Sequence, residues 1–402
     1  MLTIVTILVC LGALFLLVRP SLIASDYWRA TATPLASIIG SGFLVSVPIL
    51  RDVVGQWAVF PMMGLLAVAY LIGAAIRDNI AHVEPLVQNG DAAVPVTAAE
   101  RLSHLALSFA YFVSVAYYLV LFATFLLKSF GVEDAQLAKT IVSAILLTIA
   151  VIGVWRGFHA VEGLEIYAVS VKLAVIAALL AALALFDVLD LIGADSVGGT
   201  LSGHFDAADL PVLLGLLILV QGFETSRFLG EAYPAELRIR TMKTAQVLSA
   251  AIYIVFFLLM IPLMGADSRE TGVAAIVDIV QPVAVVLPLL ITVGALASQS
   301  SAAVADAIGA GGILNDITKG RIPVRYTYPW IAGISAIVTW ETDVFSLITL
   351  ASRCFAFYYA LQCLVAMMSA GGRGAYGRAA GFGALMLLCA AIVIFGTPAE
   401  GG

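Results

Sequence analysis

Charged residues are scarce in this sequence: Asp, Glu, Lys and Arg together make up 11% of its 402 residues, against about a quarter in a soluble domain. Cysteine and histidine are rarer still, four of each. Cys10, Cys354, Cys363 and Cys389 all lie in apolar runs with no pair at metal-ligand spacing, which argues against a disulfide framework and against a zinc site. His82, His104, His159 and His204 are scattered in or beside expected loops. No Ser/His/Asp, Cys/His or metal constellation emerges, so the reading is of a protein that is not an enzyme and carries neither cofactor nor metal. A net charge of −6 with no basic run gives nucleic acid nothing to hold.

Apolar residues are what the chain has in excess, at 62%. A soluble fold of this size buries about three quarters of its surface and would still leave too much Leu, Ile and Val in water. The expected fold class is therefore an all-α polytopic membrane protein whose solvent is the lipid bilayer.

A window of about 20 apolar residues matches a bilayer core about 30 Å thick. It marks twelve spans: 2–18, 28–50, 56–76, 104–127, 135–154, 162–186, 209–232, 243–265, 280–308, 326–340, 343–370 and 379–396. The first reads as a retained helix, not a cleaved signal, because no positive charge precedes it and Arg19 and Pro20 follow directly. Alternating sides from its end collects Arg77, Arg101, Arg156, Arg238, Arg240, Lys243, Lys319, Arg321, Arg325, Arg373 and Arg378, with Arg19 and Arg29, on one face. The opposite face receives only Arg51, Lys128, Lys139 and Arg269. That bias assigns the first face to the cytoplasm and both termini to the outside, as expected in a bacterial inner membrane. Lys172, Arg227 and Arg353 remain inside spans, where a charge is costly and marks a pathway or a pair.

Two spans are interrupted. The first carries Pro34 and then Ile38-Ile39-Gly40-Ser41-Gly42-Phe43 near its midpoint, and the span at 209–232 carries Gln221-Gly222-Phe223-Glu224. Glycine and short polar residues weaken a helix, and unwound backbone at membrane depth is tolerated only inside protein or beside a cavity. Each break opens a set of five spans, 28–186 and 209–370, flanked by one extra helix at 1–20 and another at 379–396. An odd-numbered unit inverts on repetition, and paired interruptions in inverted halves point to a midplane binding site. Unwinding frees N–H groups that attract anions and C=O groups that attract cations. The amides of Ser41, Gly42 and Phe43 are thus expected carboxylate ligands, and the carbonyls near Val220 and Gln221 expected ammonium ligands.

At these residues the sequence resembles the amino acid–polyamine–organocation (APC) superfamily with its LeuT-type five-plus-five inverted repeat. Ile38-Ile39-Gly40-Ser41-Gly42-Phe43 is similar to the signature of that superfamily's first core helix. Gly222-Phe223-Glu224 with Gly230-Glu231-Ala232-Tyr233-Pro234 is similar to its sixth. The resemblance implies secondary transport of a small organic solute, an amino acid or amine, by alternating access. It makes Ile39, Gly40, Ser41, Gly42, Phe43, Gln221, Gly222, Phe223 and Glu224 the expected substrate site, with Phe223 as a gate. Lys172 is similar to the lysine of proton-coupled or exchanging members, so that Lys172 and Glu224 form the expected H⁺-linked pair. Ser298-Gln299-Ser300-Ser301 lies where sodium-coupled relatives hold Na⁺, and Ser300 and Ser301 mark that alternative. A sensor or accessory subunit without flux is the rival from another class.

The chain also departs from the superfamily pattern. Val220 and Gln221 stand where an aromatic is common, and Glu224, Arg227 and Glu231 fall on one helical face. Arg353 lies near Phe355, Phe357, Tyr358 and Tyr359. Such arginines point either to an anionic substrate or to an ion pair. Tyr111, Phe112, Tyr117 and Tyr118 form an aromatic stripe that either lines the pocket or packs.

Overall fold

The computed structural model describes residues 1–155, 165–192, 203–230, 232–264 and 272–399, with Ser41 placed by its backbone alone. Arg156, His159, Asp195, Glu231 and Arg269 lie outside the described residues. Among the described residues the chain is helical and contains no strand. Eight stretches are long and apolar enough to cross a bilayer, and the first, Asp26–Asn89, takes in two expected spans. Three expected spans fall short of that length. Leu2–Leu17 has 16 residues, Thr327–Glu341 has 15, and the stretch from 210 to 229 is divided into short turns. At 1.5 Å per residue, 16 residues reach only about 24 Å.

We number the principal helices α1 (Leu2–Leu17), α2 (Asp26–Ile38), α3 (Ser41–Val54), α4 (Val59–His82), α5 (Val94–Ser129), α6 (Ala135–Trp155) and α7 (Glu165–Ile192). The second half continues with α8 (Ala235–Met264), α9 (Leu287–Ile317), α10 (Thr327–Glu341), α11 (Val344–Gly372) and α12 (Tyr376–Phe395). Helix α5 is the most enclosed span, with 78% of its apolar window buried, and so sits at the bundle centre. It packs on α9, α4 packs on α8, and α6 packs on α10. Each of these pairs joins the second, third or fourth helix of one half to its counterpart in the other. That pattern is what a two-fold axis between two five-helix units produces. Helix α1 lies against α7, and α12 lies against α11.

Several helices are longer than a bilayer core requires. Helix α5 has 36 residues, about 54 Å, with Pro95 in its first turn, where a missing N–H costs nothing. Its first ten residues therefore extend beyond the expected span. Helix α8 likewise begins at Ala235, eight residues before the expected 243. The polar ends of these helices are linked through Arg227 of the Phe223–Leu229 turn, which pairs with Glu100 of α5 and accepts from Arg238 of α8 on its carbonyl.

Candidate functional site

The first interruption falls between α2 and α3. Ile39 and Gly40 leave the helical region, Gly40 with φ −69° and ψ −112°, and α3 restarts at Ser41. No side chain caps α3, so the amides of its first turn have no acceptor within the helix. The second interruption falls between the 3₁₀ turns Leu217–Val220 and Phe223–Leu229. Gln221 is extended there, and Gly222 has φ +115°, a conformation that a side chain would strain. Both breaks therefore lie where the glycines and polar residues predicted them.

The two breaks cross in direct backbone contact, and each supplies the glycine that admits the other. A Cβ on Gly42 would strike the Leu219 carbonyl oxygen and sit 2.5 Å from the Leu219 Cα. On Gly222 it would strike the Ser37 Cβ and sit 2.7 Å from the Ser37 carbonyl carbon and 2.9 Å from the Ile38 nitrogen. Tyr253 of α8 ties the crossing from behind. Its buried hydroxyl lies 3.1 Å from the Ile38 carbonyl and 2.6 Å from the Leu219 carbonyl, one on each interrupted helix. Lys172 of α7 is buried and donates from Nζ to the Ala36 carbonyl at 2.7 Å, on the last turn of α2. An ammonium against helix C-terminal carbonyls satisfies both partners.

The side chains at the crossing divide into aromatic walls and polar tips. Phe43 stacks on Phe256 at 4.4 Å between ring centroids and meets Tyr253 edge-on at 5.2 Å. Phe223 stacks on Tyr359 of α11 at 5.1 Å. Glu224 is fully buried, and its Oε2 accepts from the Gly222 amide at 2.9 Å and from the Tyr359 hydroxyl at 2.7 Å. Its Oε1 has no partner among the described residues. The Gln221 amide donates to the Tyr118 hydroxyl at 2.7 Å, while its own carbonyl oxygen is buried with no partner among the described residues. Of the aromatic stripe, Tyr118 thus reaches the crossing, and Tyr111 packs edge-on against Phe355 of α11 at 6.0 Å between ring centroids.

The remaining sequence candidates stand apart from it. Arg227 does not pair along its own helix with Glu224. It crosses to Glu100 of α5 at 2.8 Å and donates to the Gln362 side chain of α11. Gln362 in turn donates to Ser103 at 2.8 Å and accepts from Asn79 of α4 at 2.9 Å. Arg238 donates to the Arg227 carbonyl at 2.8 Å and pairs with Glu84 at 2.6 Å. This is a buried ionic network joining four helices at the end expected to face the cytoplasm. Arg353 donates to the Gly396 carbonyl at 2.6 Å and so caps α12. Ser300 is exposed and bonds back to the Leu296 carbonyl at 2.8 Å, and Ser301 bonds back to Ser298 at 3.1 Å. On α9 it is instead the Ser298 hydroxyl and the Gln299 carbonyl oxygen that are buried with no partner among the described residues.

Sequence reasoning missed Tyr253, Tyr359, Glu100 and Asp306. Asp306 sits in α9, only 7% exposed, bonded to the Ser114 hydroxyl of α5. It lies within the expected span 280–308, so the test applied to basic residues in spans, applied also to acids, finds it.

Comparison with known proteins agrees with this architecture. Residues 20–396 match a family described as an APC superfamily transporter. An uncharacterised protein of Aquifex aeolicus is 38% identical over 359 residues, 88% of this chain and 87% of that one. Among solved structures, the Eremococcus coleocola manganese transporter bound to an aromatic bis-isothiourea compound superposes with a TM-score of 0.55 at 13% identity. The alignment covers 92% of this chain and 88% of that one. A histidine-to-alanine mutant of the same transporter gives 0.56 at the same identity, over 92% and 87%.

Proposed function

This chain belongs to the APC superfamily of transporters, and from that premise we propose that it carries a small organic solute across a bacterial inner membrane by alternating access. The observation that carries this reading is the crossing of two interrupted helices, with Lys172 on the Ala36 carbonyl and Glu224 buried beside it. The free amides at the start of α3, at Gly42 and Phe43, suit an acceptor group of the solute. The unpartnered oxygens of Glu224 and Gln221 suit a donor, so an ammonium group belongs at that end. Phe43 and Phe223 wall the site, and Ile39, Gly40, Ser41 and Gly222 contribute backbone.

Lys172 sets a fixed ammonium against the carbonyls that end α2, which favours H⁺ coupling or exchange over Na⁺. A second cation beside a fixed ammonium is repelled. The inward-bonded hydroxyls of Ser300 and Ser301 weaken the sodium alternative further. The likeness to manganese transporters is one of fold, and the aromatic walls and free backbone groups of the crossing favour an organic cargo.

Reconstitution into proteoliposomes tests the proposal. Radiolabelled substrate should exchange against an internal excess, with a rate that responds to an imposed pH gradient and not to Na⁺. Ligand binding without counterflow would reduce the chain to a sensor or accessory subunit.

A further inference from the structure

Away from the crossing, at the face expected to be cytoplasmic, two arginines share one acid. Asp78, near the end of α4, has a side chain only 2% exposed. Arg373, just past α11, reaches it at 2.5 Å, and Arg378, in the first turn of α12, reaches it at 3.3 Å. The His82 imidazole stands 3.5 Å from the same carboxylate. No other acid among the described residues pairs with either arginine. One negative charge against two guanidinium groups leaves one positive charge over, with His82 charged or neutral.

The two arginines are held differently. Arg373 also donates from Nε to the Ser369 carbonyl at 3.3 Å, at the C-terminal end of α11, where a cation has the favourable sign. Arg378 sits at the other kind of end. The first turn of α12 has no acid and no side-chain cap, and a cation there opposes the helix dipole. The Arg378 side chain is 63% exposed, on the span with the smallest buried share of its apolar window, 17%. Tyr376 beside it is exposed, and the apolar run of α12 begins directly after, at Ala379. An exposed arginine and tyrosine at the start of such a run belong at the headgroup level of a bilayer.

We infer that Arg373 and Arg378 form a docking site for the phosphate of an anionic phospholipid in the cytoplasmic leaflet. Guanidinium groups bind phosphate oxygens in pairs, and basic groups at this face attract anionic lipid. A zwitterionic headgroup brings its own ammonium and leaves the surplus charge standing. The phosphate competes with Asp78 for Arg378, whose contact is the longer of the two, so Asp78 limits the affinity.

The test titrates the purified full-length protein in detergent with phosphatidylglycerol, phosphatidylcholine or glycerol 3-phosphate, and counts bound species by native mass spectrometry. Phosphatidylglycerol should bind tightest and glycerol 3-phosphate, which lacks the acyl chains, hardly at all. Arg378→Gln should cost phosphatidylglycerol about fivefold in affinity and leave phosphatidylcholine unchanged. Asp78→Asn removes the competitor and should tighten phosphatidylglycerol; should that variant not fold, Arg378→Gln decides alone. Arg240→Gln is the control at the same face, since Arg240 has its own acid in Glu236 at 2.8 Å, and it should change nothing. Equal binding of the two lipids, a preference that survives Arg378→Gln, or an equal loss in Arg240→Gln overturns the inference. Glycerol 3-phosphate binding as tightly as the lipid overturns it too, because the ligand would then be a soluble phosphate ester.

Discussion

Gly222→Ala is the sharpest perturbation of the crossing. The added methyl would stand 2.7 Å from the Ser37 carbonyl carbon and 2.9 Å from the Ile38 nitrogen, where carbon atoms normally rest about 3.5–4.0 Å apart. Both neighbours are backbone, so no side chain can rotate away, and the interrupted helices must separate by about 1 Å. The φ of +115° adds its own strain for any residue with a Cβ. Strain of this kind costs about 1–3 kcal/mol and overpacking about 1–3 kcal/mol. If only the closed crossing bears it, the combined minimum of about 2 kcal/mol slows turnover about 30-fold. Initial counterflow rates in proteoliposomes, read beside melting temperature in detergent, measure both consequences. Gly64→Ala is the control, since a Cβ there meets nothing within 4 Å, and it should behave as wild type. A folded Gly222→Ala protein exchanging substrate within about threefold of the wild-type rate, far short of the slowing expected, would refute the account of two mutually admitting breaks.

Three further outcomes follow from the same geometry. Lys172→Gln keeps a donor for the Ala36 carbonyl but removes the charge, so pH-driven uptake should collapse while counterflow persists; unchanged pH-driven uptake removes Lys172 from coupling. Arg227→Leu strands Glu100 in the interior at a cost of about 3–5 kcal/mol, which should lower the melting temperature sharply. A double variant with Glu100→Gln should recover much of the loss, and strictly additive effects would show that the pair does not act as a unit. At the start of α11, burial pushes the Asp343 carboxyl up, but the Ser346 hydroxyl and the amides of Ser346 and Phe345 outweigh it and hold it below its ordinary value. With the folded value depressed, its stabilisation is complete above about pH 4 and fades as pH falls through the lower folded value. Asp343→Asn should therefore flatten the acid limb of the melting-temperature profile, and an unchanged limb counts against the cap.

Much of this arrangement was legible in the residues. Ile39–Gly42 and Gln221–Gly222 stand out because glycine and amide groups are anomalous at the centre of an apolar span, and the chain breaks at both places. Helix ends were less legible. Hydropathy measures the thickness of the lipid, not the length of the helix, so it reads the early turns of α5 and α8 as loop, passes over Glu100 and counts Arg238 only as a loop charge. The partner of Arg227 was sought at helical spacing along its own segment, whereas the 3₁₀ turn of Phe223–Leu229 and the end of α5 bring Glu100 from 127 residues away. Tyr253 and Tyr359 carry no local signature. An aromatic in a membrane helix looks the same whether it packs or donates a hydrogen bond, and only the third dimension distinguishes the two.

The hydroxyl of Tyr253 has one hydrogen and two claimants, the carbonyls of Ile38 and Leu219. Neither half of the repeat can be held at full strength while the other is present, so the contact is frustrated by construction. A rocking motion that draws one interrupted helix away lets the hydroxyl commit to the helix that stays. Part of what the departing segment gives up is thereby returned to the segment left behind. A donor shared in this way, nearer here to Leu219 at 2.6 Å than to Ile38 at 3.1 Å, lowers the cost of parting the two segments, a property that suits the pivot of a carrier.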